Sequence, residues 1–288
     1  GAMKVCATTV MMPEHDLPEA AEFLAGLGFD GVEWRCRRIS DEQRTQAFSN
    51  WGNHRFDLSP DNLAERGAEL VEVTRANGLE IACLATNMPA SDLDTVRLVA
   101  AGCAKHGIGK FRLGAPRGWN SAESYVKLLD DTRRAFEAAL AICAEYGVRA
   151  ILEIHRGTVS MSPTMAYLVV KDFDPKHLGV IFDIANMSLG QGFEPPKVGI
   201  DLLGDYVAHV HAGGGRPRPT DRREDGQQSW AWDTVDLADS LLDTASFVRD
   251  LLATGYDGFF SVEDFRAMDL AEKLSVNLAY LRAVGAGS

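Results

Sequence analysis

Short apolar runs alternate with longer segments of helical periodicity along nearly the whole chain. The apolar runs have the length and continuity of parallel strands that are buried on both faces. Eight such runs lie at residues 4–10, 28–35, 79–86, 108–113, 148–154, 178–184, 207–212 and 258–264. Amphipathic helices are predicted between them, most clearly over residues 121–146.

Glycines mark the ends of several predicted helices, directly before or at the start of the next strand. A glycine in this position is typical of a helix C-cap. The glycines concerned are Gly28, Gly78, Gly107, Gly147 and Gly255. Eight strand–helix units in 288 residues predict an α/β fold, a (β/α)₈ TIM barrel, as a single domain over residues 3–286. Residues 1–2, which precede Met3, are interpreted as the remnant of a cleaved tag.

Four of the predicted strands end in a charged or imidazole side chain. Glu153 ends ILE, Asp183 ends VIFD, His211 follows VAHV and Glu263 follows FFSV. The carboxyl ends of barrel strands meet at one face, and a lone buried carboxylate is costly, so these residues are predicted to share one divalent metal ion. His209 is the alternative imidazole ligand; His211 is preferred because it lies nearer the end of its strand.

The composition narrows the classes of partner. A net charge of −12 and a pI near 5.0 argue against a nucleic-acid partner, and no apolar run is long enough to span a membrane. The five cysteines are scattered without metal-binding spacing, which is typical of reduced thiols in a cytoplasmic protein. The expected partner is therefore a small molecule.

The predicted ligands indicate a type of metal and a type of chemistry. Three carboxylates and one imidazole favour Mn²⁺, with Mg²⁺, Co²⁺ and Zn²⁺ as alternatives, over a closed structural zinc site. A metal that chelates a carbonyl and its neighbouring hydroxyl acidifies the intervening C–H bond. Glu153 and Glu263 come from different strands and can flank that carbon as a catalytic acid/base pair. The prediction is an isomerase or epimerase that acts through an enediol.

Five further residues are candidates for binding the substrate, and each has an alternative role. Glu33 ends a strand and could contact a substrate hydroxyl, or hold Arg35 or a loop arginine. His155 lies on the same strand face as Glu153 and could face the mouth of the barrel or make a supporting hydrogen bond. Asn186 could bind substrate or cap a turn.

The arginines suggest the charge of the substrate. Arg112 ends the fourth strand and Arg216 lies in a long segment after the seventh. With Arg35 they indicate an anionic substrate, because guanidinium binds carboxylate or phosphate with two hydrogen bonds. The alternative is a solvated rim of charge. Residues 36–60 and 212–235 are expected to be long loops that cover the site or contact another subunit.

The motifs GFDGVEW, LEIH, FDIAN, HVHAGG and GYDGFFSVED together resemble the sugar phosphate isomerase/epimerase superfamily of xylose isomerase-like barrels. The resemblance covers almost the whole chain. It implies that Glu153, Asp183, His211 and Glu263 bind one divalent metal and that the two glutamates are the acid/base pair. It also implies a homodimer or homotetramer that acts on a sugar or keto-polyol.

Two positions depart from the ketohexose 3-epimerases within this superfamily. Asn186 stands where those enzymes have a histidine, and Val159 stands where they have a substrate-binding glutamate. Arg216 lies close to the position of an arginine that follows their metal histidine. An inosose-type dehydratase, which loses water after the same proton abstraction, is the first alternative. A hydrolase like endonuclease IV is the second, although the chain lacks the additional histidines of that enzyme.

Overall fold

The computed structural model describes residues 3–189 and 194–287. The two residues interpreted as a tag remnant lie outside this range. Ten strands are described: β1 (Lys4–Thr8), β2 (Gly31–Arg35), β3 (Glu80–Ala85), β4 (Lys110–Arg112), β5 (Arg149–Glu153), β6 (Leu178–Asp183), β7 (Val207–Ala212), β8 (Gly214–Arg222), β9 (Gln228–Val235) and β10 (Phe259–Val262).

Eight parallel strands close into a barrel in the order β1-β10-β7-β6-β5-β4-β3-β2. Each predicted apolar run contains one of these strands, so the predicted (β/α)₈ barrel is confirmed. The ten helices of the described residues are α1 (Leu17–Leu27), α2 (Asp41–Arg44), α3 (Leu63–Ala76), α4 (Leu93–His106), α5 (Tyr125–Tyr146), α6 (Pro163–Val170), α7 (Ile184–Ser188), α8 (Pro196–Leu203), α9 (Thr244–Ala253) and α10 (Leu270–Ala286).

The predicted C-cap glycines adopt the left-handed conformation that permits a tight exit from a helix. Gly28, Gly107 and Gly147 cap α1, α4 and α5 with φ of 96°, 70° and 65°. Such φ values are disfavoured for residues with a Cβ atom, so glycine lets the chain reverse within one residue and enter the next strand. These caps keep the αβ connections short and the strands in register.

The apolar core lies mainly between the strands and the surrounding helices, where Trp34, Phe111 and Phe182 are fully buried. The barrel interior holds smaller clusters, one of which contains Cys83, Ile151, Ile181 and Ala208. All five cysteines are buried and free, in agreement with the prediction of unpaired thiols. No helix of the described residues is long and apolar enough to cross a membrane.

The segment 212–235 differs from the predicted loop, because β8 and β9 form an antiparallel hairpin. Pro217 and Pro219 obscured this strand in the sequence. A two-stranded sheet leaves one edge of each strand unpaired, and proline is tolerated there because it needs no partner for an N–H group. Gly214 pairs with Val235, and a Cβ atom on Gly214 would lie 2.5 Å from the Val235 carbonyl oxygen. Glycine therefore allows the base of the hairpin to close.

Candidate metal centre

The barrel register brings four strand ends to one point. Asp183 at the end of β6 pairs directly with His211 on β7. Glu153 ends β5, and Glu263 follows β10, where its N–H group donates to the carbonyl of Ala212. Because neighbouring strands are parallel, these residues point into the same end of the barrel. The structure thus brings together the four residues that the sequence predicts as metal ligands.

The Nδ1 atom of His211 lies at the centre of this group. It is 3.2 Å from Glu153 Oε1, 3.1 Å from Asp183 Oδ2 and 3.2 Å from Glu263 Oε1. One ligand atom of each residue lies within 4.8 Å of all the others. Around an ion with bonds of about 2.1 Å, adjacent ligand atoms are about 3 Å apart, so these spacings fit a divalent cation.

The charges of the cluster also fit a cation. Burial raises the pKa of Asp183 and raises that of Glu263 well above its usual value, and in both cases Glu153 raises it further. Burial lowers the pKa of His211, but Glu263 and the other carboxylates outweigh this effect and raise it well above its usual value. Several buried carboxylates thus compete for one imidazole, and a divalent ion would relieve their repulsion.

Glu33 lies beneath this group, inside the barrel, and is almost fully buried. Its Oε1 atom is 2.8 Å from His211 Nε2, 2.8 Å from His209 Nε2, and accepts a hydrogen bond from Cys83 Sγ at 3.1 Å. A carboxylate at Nε2 favours the tautomer in which Nε2 carries the proton and Nδ1 is free to bind a metal. The partners of Glu33 are therefore histidines and a thiol rather than the arginines considered from the sequence.

A cavity of about 320 Å³ opens above the four ligands. Its wall includes Glu153, His211 and Glu263. Trp51 and Phe265 also line it, with ring centroids 4.6 Å apart, and they join the loop after β2 to the loop after β10. Apolar ring faces at the mouth of a cavity with polar groups at its base suit a small polyhydroxylated ligand.

Four of the five predicted substrate-binding residues line this cavity, namely Glu33, Arg112, His155 and Asn186. Arg112 donates through Nε to Glu153 Oε2 at 2.6 Å. His155 makes a hydrogen bond through Nδ1 to the Arg156 carbonyl oxygen at 2.6 Å, which leaves Nε2 without a partner among the described residues. Asn186 donates its backbone N–H group to Asp183 Oδ1 at 2.7 Å. Asp183, one of the four candidate metal ligands, therefore also caps the N-terminus of α7.

Arg216 lies elsewhere. It is exposed on β8, where it pairs with Asp233 of β9, and it does not line the cavity as the structure describes it. The sequence prediction assumed a short loop after β7, whereas the structure has the strand β8 at this position. The placement of Arg216 therefore does not support the predicted contact with substrate.

Sequence reasoning did not assign a role at the site to Arg37, Arg156 or Thr86, all of which line the cavity. Arg37 lies two residues beyond β2, and burial together with the nearby Arg112 lowers its pKa. The position of Arg37 two residues after a barrel strand could have indicated a role at the site, because the loops at that face of a barrel carry functional residues.

The family model of the xylose isomerase-like TIM barrel matches residues 21–284. The chain belongs to this family. A protein of Methanocaldococcus jannaschii, described as uncharacterized protein MJ1311, is 24% identical over 295 aligned positions, which cover 96% of this chain and 89% of that protein.

Solved structures with the same fold include enzymes of different reaction types. The 3-keto-D-glucoside 4-epimerase YcjR of E. coli has a TM-score of 0.70 at 16% identity, with coverage of 98% of this chain and 99% of the other. The probable 3-DHS dehydratase AsbF of Bacillus anthracis has a TM-score of 0.71 at 15% identity, with coverage of 97% and 98%. IolI, solved with a zinc atom, has a TM-score of 0.71 at 15% identity, with 99% of each chain covered. At these identities the likeness shows the fold and leaves the reaction open.

Proposed function

We propose that the protein is a divalent-metal-dependent isomerase or epimerase of a sugar or keto-polyol. The observation that carries this proposal is the position of Glu153 and Glu263. Both carboxylates border one cavity, and both approach the same nitrogen of His211 at 3.2 Å. Two carboxylates that meet one small-molecule cavity from different strands suit the removal of a proton and its return at a second position.

A bound divalent ion would supply Lewis acidity, which makes the C–H bond beside a substrate carbonyl easier to ionise. Glu153, Asp183, His211 and Glu263 would hold that ion. We propose Mn²⁺ as the native metal, since oxygen ligands dominate the set. A cytoplasmic location and assembly as a homodimer or homotetramer are further proposals that rest on cysteine usage and on family resemblance.

The two glutamates differ in their hydrogen-bond partners and in the direction of their pKa shifts, which suits them to different steps of the proton transfer. Glu153 receives a hydrogen bond from Arg112, which together with His211 holds its pKa well below its usual value despite the opposing effect of burial. Glu263 Oε2 has no hydrogen-bond partner among the described residues. We therefore propose that Glu153, which is held ionised, removes the proton from carbon, and that Glu263, whose pKa is raised, returns one to the opposite face or to the neighbouring carbon.

A dehydratase of keto-polyols is the second candidate, and His155 is the observation that favours it. Its Nε2 atom has no partner in the described structure, and the ring borders the cavity. With Nδ1–H bonded to the Arg156 carbonyl, a ring that is also protonated at Nε2 could give that proton to a hydroxyl group as it leaves as water, which returns the imidazole to its neutral form. A hydrolase like endonuclease IV has less support, since the second possible metal group of the described residues, Glu33, His209 and His211, shares His211 with the first and adds only one further histidine.

Solvent deuterium incorporation tests the proposal. The Mn²⁺-loaded protein is incubated in D₂O with ketoses, keto-polyols and hydroxy-keto acids, and carbon-bound deuterium is measured by NMR. Label at a carbon beside a carbonyl, only when metal is present, would support an enediolate. Product that has lost water would favour the dehydratase. Conversion of none of these compounds by metal-loaded protein would count against both.

A further inference from the structure

The mouth of the barrel has a basic wall opposite its acidic one. Arg37 follows β2, Arg112 ends β4, and both line the cavity. They flank the end of β3, which carries Thr86 and Asn87 in the loop just beyond it. The two guanidinium groups are close enough that Arg112 lowers the pKa of Arg37, in addition to the larger effect of burial.

Arg37 differs from most arginines of this protein in having a neutral partner. With the Asn87 amide oriented to face it, Asn87 Oδ1 accepts from Arg37 Nε at 3.2 Å and from Nη2 at 2.9 Å. No ion pair of residues 3–189 or 194–287 includes Arg37. By contrast, the adjacent Arg38 points outward and pairs with Asp61 at 2.8 Å. A half-buried cation held in place without a counter-charge is expected to attract an anion.

The net charge of the groups around the cavity also indicates that an anion binds there. Four carboxylates lie at the site, from Glu33 and the three acidic ligand candidates. A divalent ion with neutral His211 offsets two of their negative charges, and Arg112 offsets a third through Glu153. Arg37 and Arg156, which also line the cavity, then leave an excess of one positive charge.

We infer that Arg37, with Arg112 beside it, forms a subsite for a terminal anionic group of the substrate. The substrate would place its carbonyl and hydroxyl groups at the four ligands and its carboxylate or phosphate group at the arginines. This inference rests on the proposed function for the identity of the reacting end, and names the class of substrate: a sugar acid or a sugar phosphate. The guanidinium group of Arg37 has several N–H donors in one plane. Asn87 accepts from Nε and Nη2, so, among the described residues, the donors of Nη1 are available to an anion.

Equilibrium binding to the Mn²⁺-loaded protein tests the subsite without requiring turnover. The ligands are D-fructose, the same ketose with a 6-carboxylate, and the same ketose with a 6-phosphate. At least one anionic form is expected to bind about tenfold more tightly than fructose, as is usual for one charge-assisted contact. Comparison of the two anionic forms tells which group the subsite takes.

Arg37→Met should remove this preference and leave both the affinity for fructose and the metal content unchanged. Arg37→Lys should restore only part of it, because an ammonium group lacks the planar fork. Arg134→Met is the matched control, since Arg134 is exposed on α5, away from the cavity, and its loss changes the net charge equally.

Equal affinity for the three ligands, no binding of either anionic form, or a preference that survives in Arg37→Met would each overturn the inference. Failure of the proposed function gives a different pattern. In that case the anion preference and its dependence on Arg37 remain, while no ligand exchanges deuterium with solvent.

Discussion

The two halves of the barrel mouth are built in opposite ways. The acidic half consists of residues at or next to the ends of β5, β6, β7 and β10, and these contact one another through His211. The basic half depends on Arg37, which lies in a loop, is half-buried and, within the part of the chain that the structure describes, forms its side-chain hydrogen bonds with the Asn87 amide. One half has excess negative charge that suits a cation, and the other has a cation that suits an anion. The acidic half is thus suited to bind the metal ion and carry the reaction, and the basic half is suited to select the substrate.

The difference has a structural basis. Ends of barrel strands are fixed by hydrogen bonds to both neighbours, whereas loop residues can be exchanged without disturbing the barrel. Changes in the acidic half should therefore abolish metal binding or turnover. Changes in the basic half should alter which ligand binds while the chemistry remains.

The largest effect is expected from the acid/base pair. Glu153→Gln and Glu263→Gln should each lower turnover by about a thousandfold, because an amide cannot accept the proton. Turnover would be measured by deuterium exchange, with metal content determined in the same samples. Near-normal activity in both variants would contradict the assignment of these glutamates.

A smaller effect is expected beneath the acidic half. Glu33→Gln should lower metal affinity by about 10- to 100-fold, because the amide holds the His211 tautomer less strongly. Competition with a fluorescent chelator would measure this affinity. Glu22→Gln, at an exposed position of α1, is the control. Unchanged metal affinity in Glu33→Gln would show that Glu33 does not position His211.

The loop of the basic half should respond to pH. Burial, together with the nearby Arg35, lowers the pKa of the buried His54 to about 4. The unfolded chain then binds more protons than the folded one between pH about 4 and 6.5, so stability falls as the pH falls through that window, by about 3 kcal/mol at most.

His54→Gln should remove this part of the pH dependence. Urea unfolding of both proteins, with metal removed, would give the free energy of unfolding at each pH. Parallel curves for the two proteins would show that His54 is not held neutral in the folded state.

The smallest effect is expected from Arg216→Met. The side chain is exposed on the hairpin, and surface changes of this kind usually alter stability by less than about 0.5 kcal/mol. Ligand affinity and turnover should stay within about twofold of the unsubstituted protein, a difference of about 0.4 kcal/mol. A tenfold loss in affinity for an anionic ligand would show that Arg216 does contact the ligand, and that the basic half includes β8.

Much of the fold could be predicted from the chain because it depends on local pattern. Each barrel strand lies inside a predicted apolar run, and the glycines expected at the ends of helices have positive φ. The hairpin was missed, since its prolines and charged residues hide two strands that are stabilised by pairing with each other rather than by burial.

The sequence by itself determined the barrel and the grouping of Glu153, Asp183, His211 and Glu263, because residues at the carboxyl ends of parallel strands must meet. Only the tertiary structure decided the partners of Glu33 and the position of Arg37. Glu33 meets His209 across 176 positions of the chain, and Arg37 reaches the cavity through a long side chain whose direction is set by the packing of a loop. Such contacts follow from barrel closure and side-chain reach, which no periodicity in the sequence records.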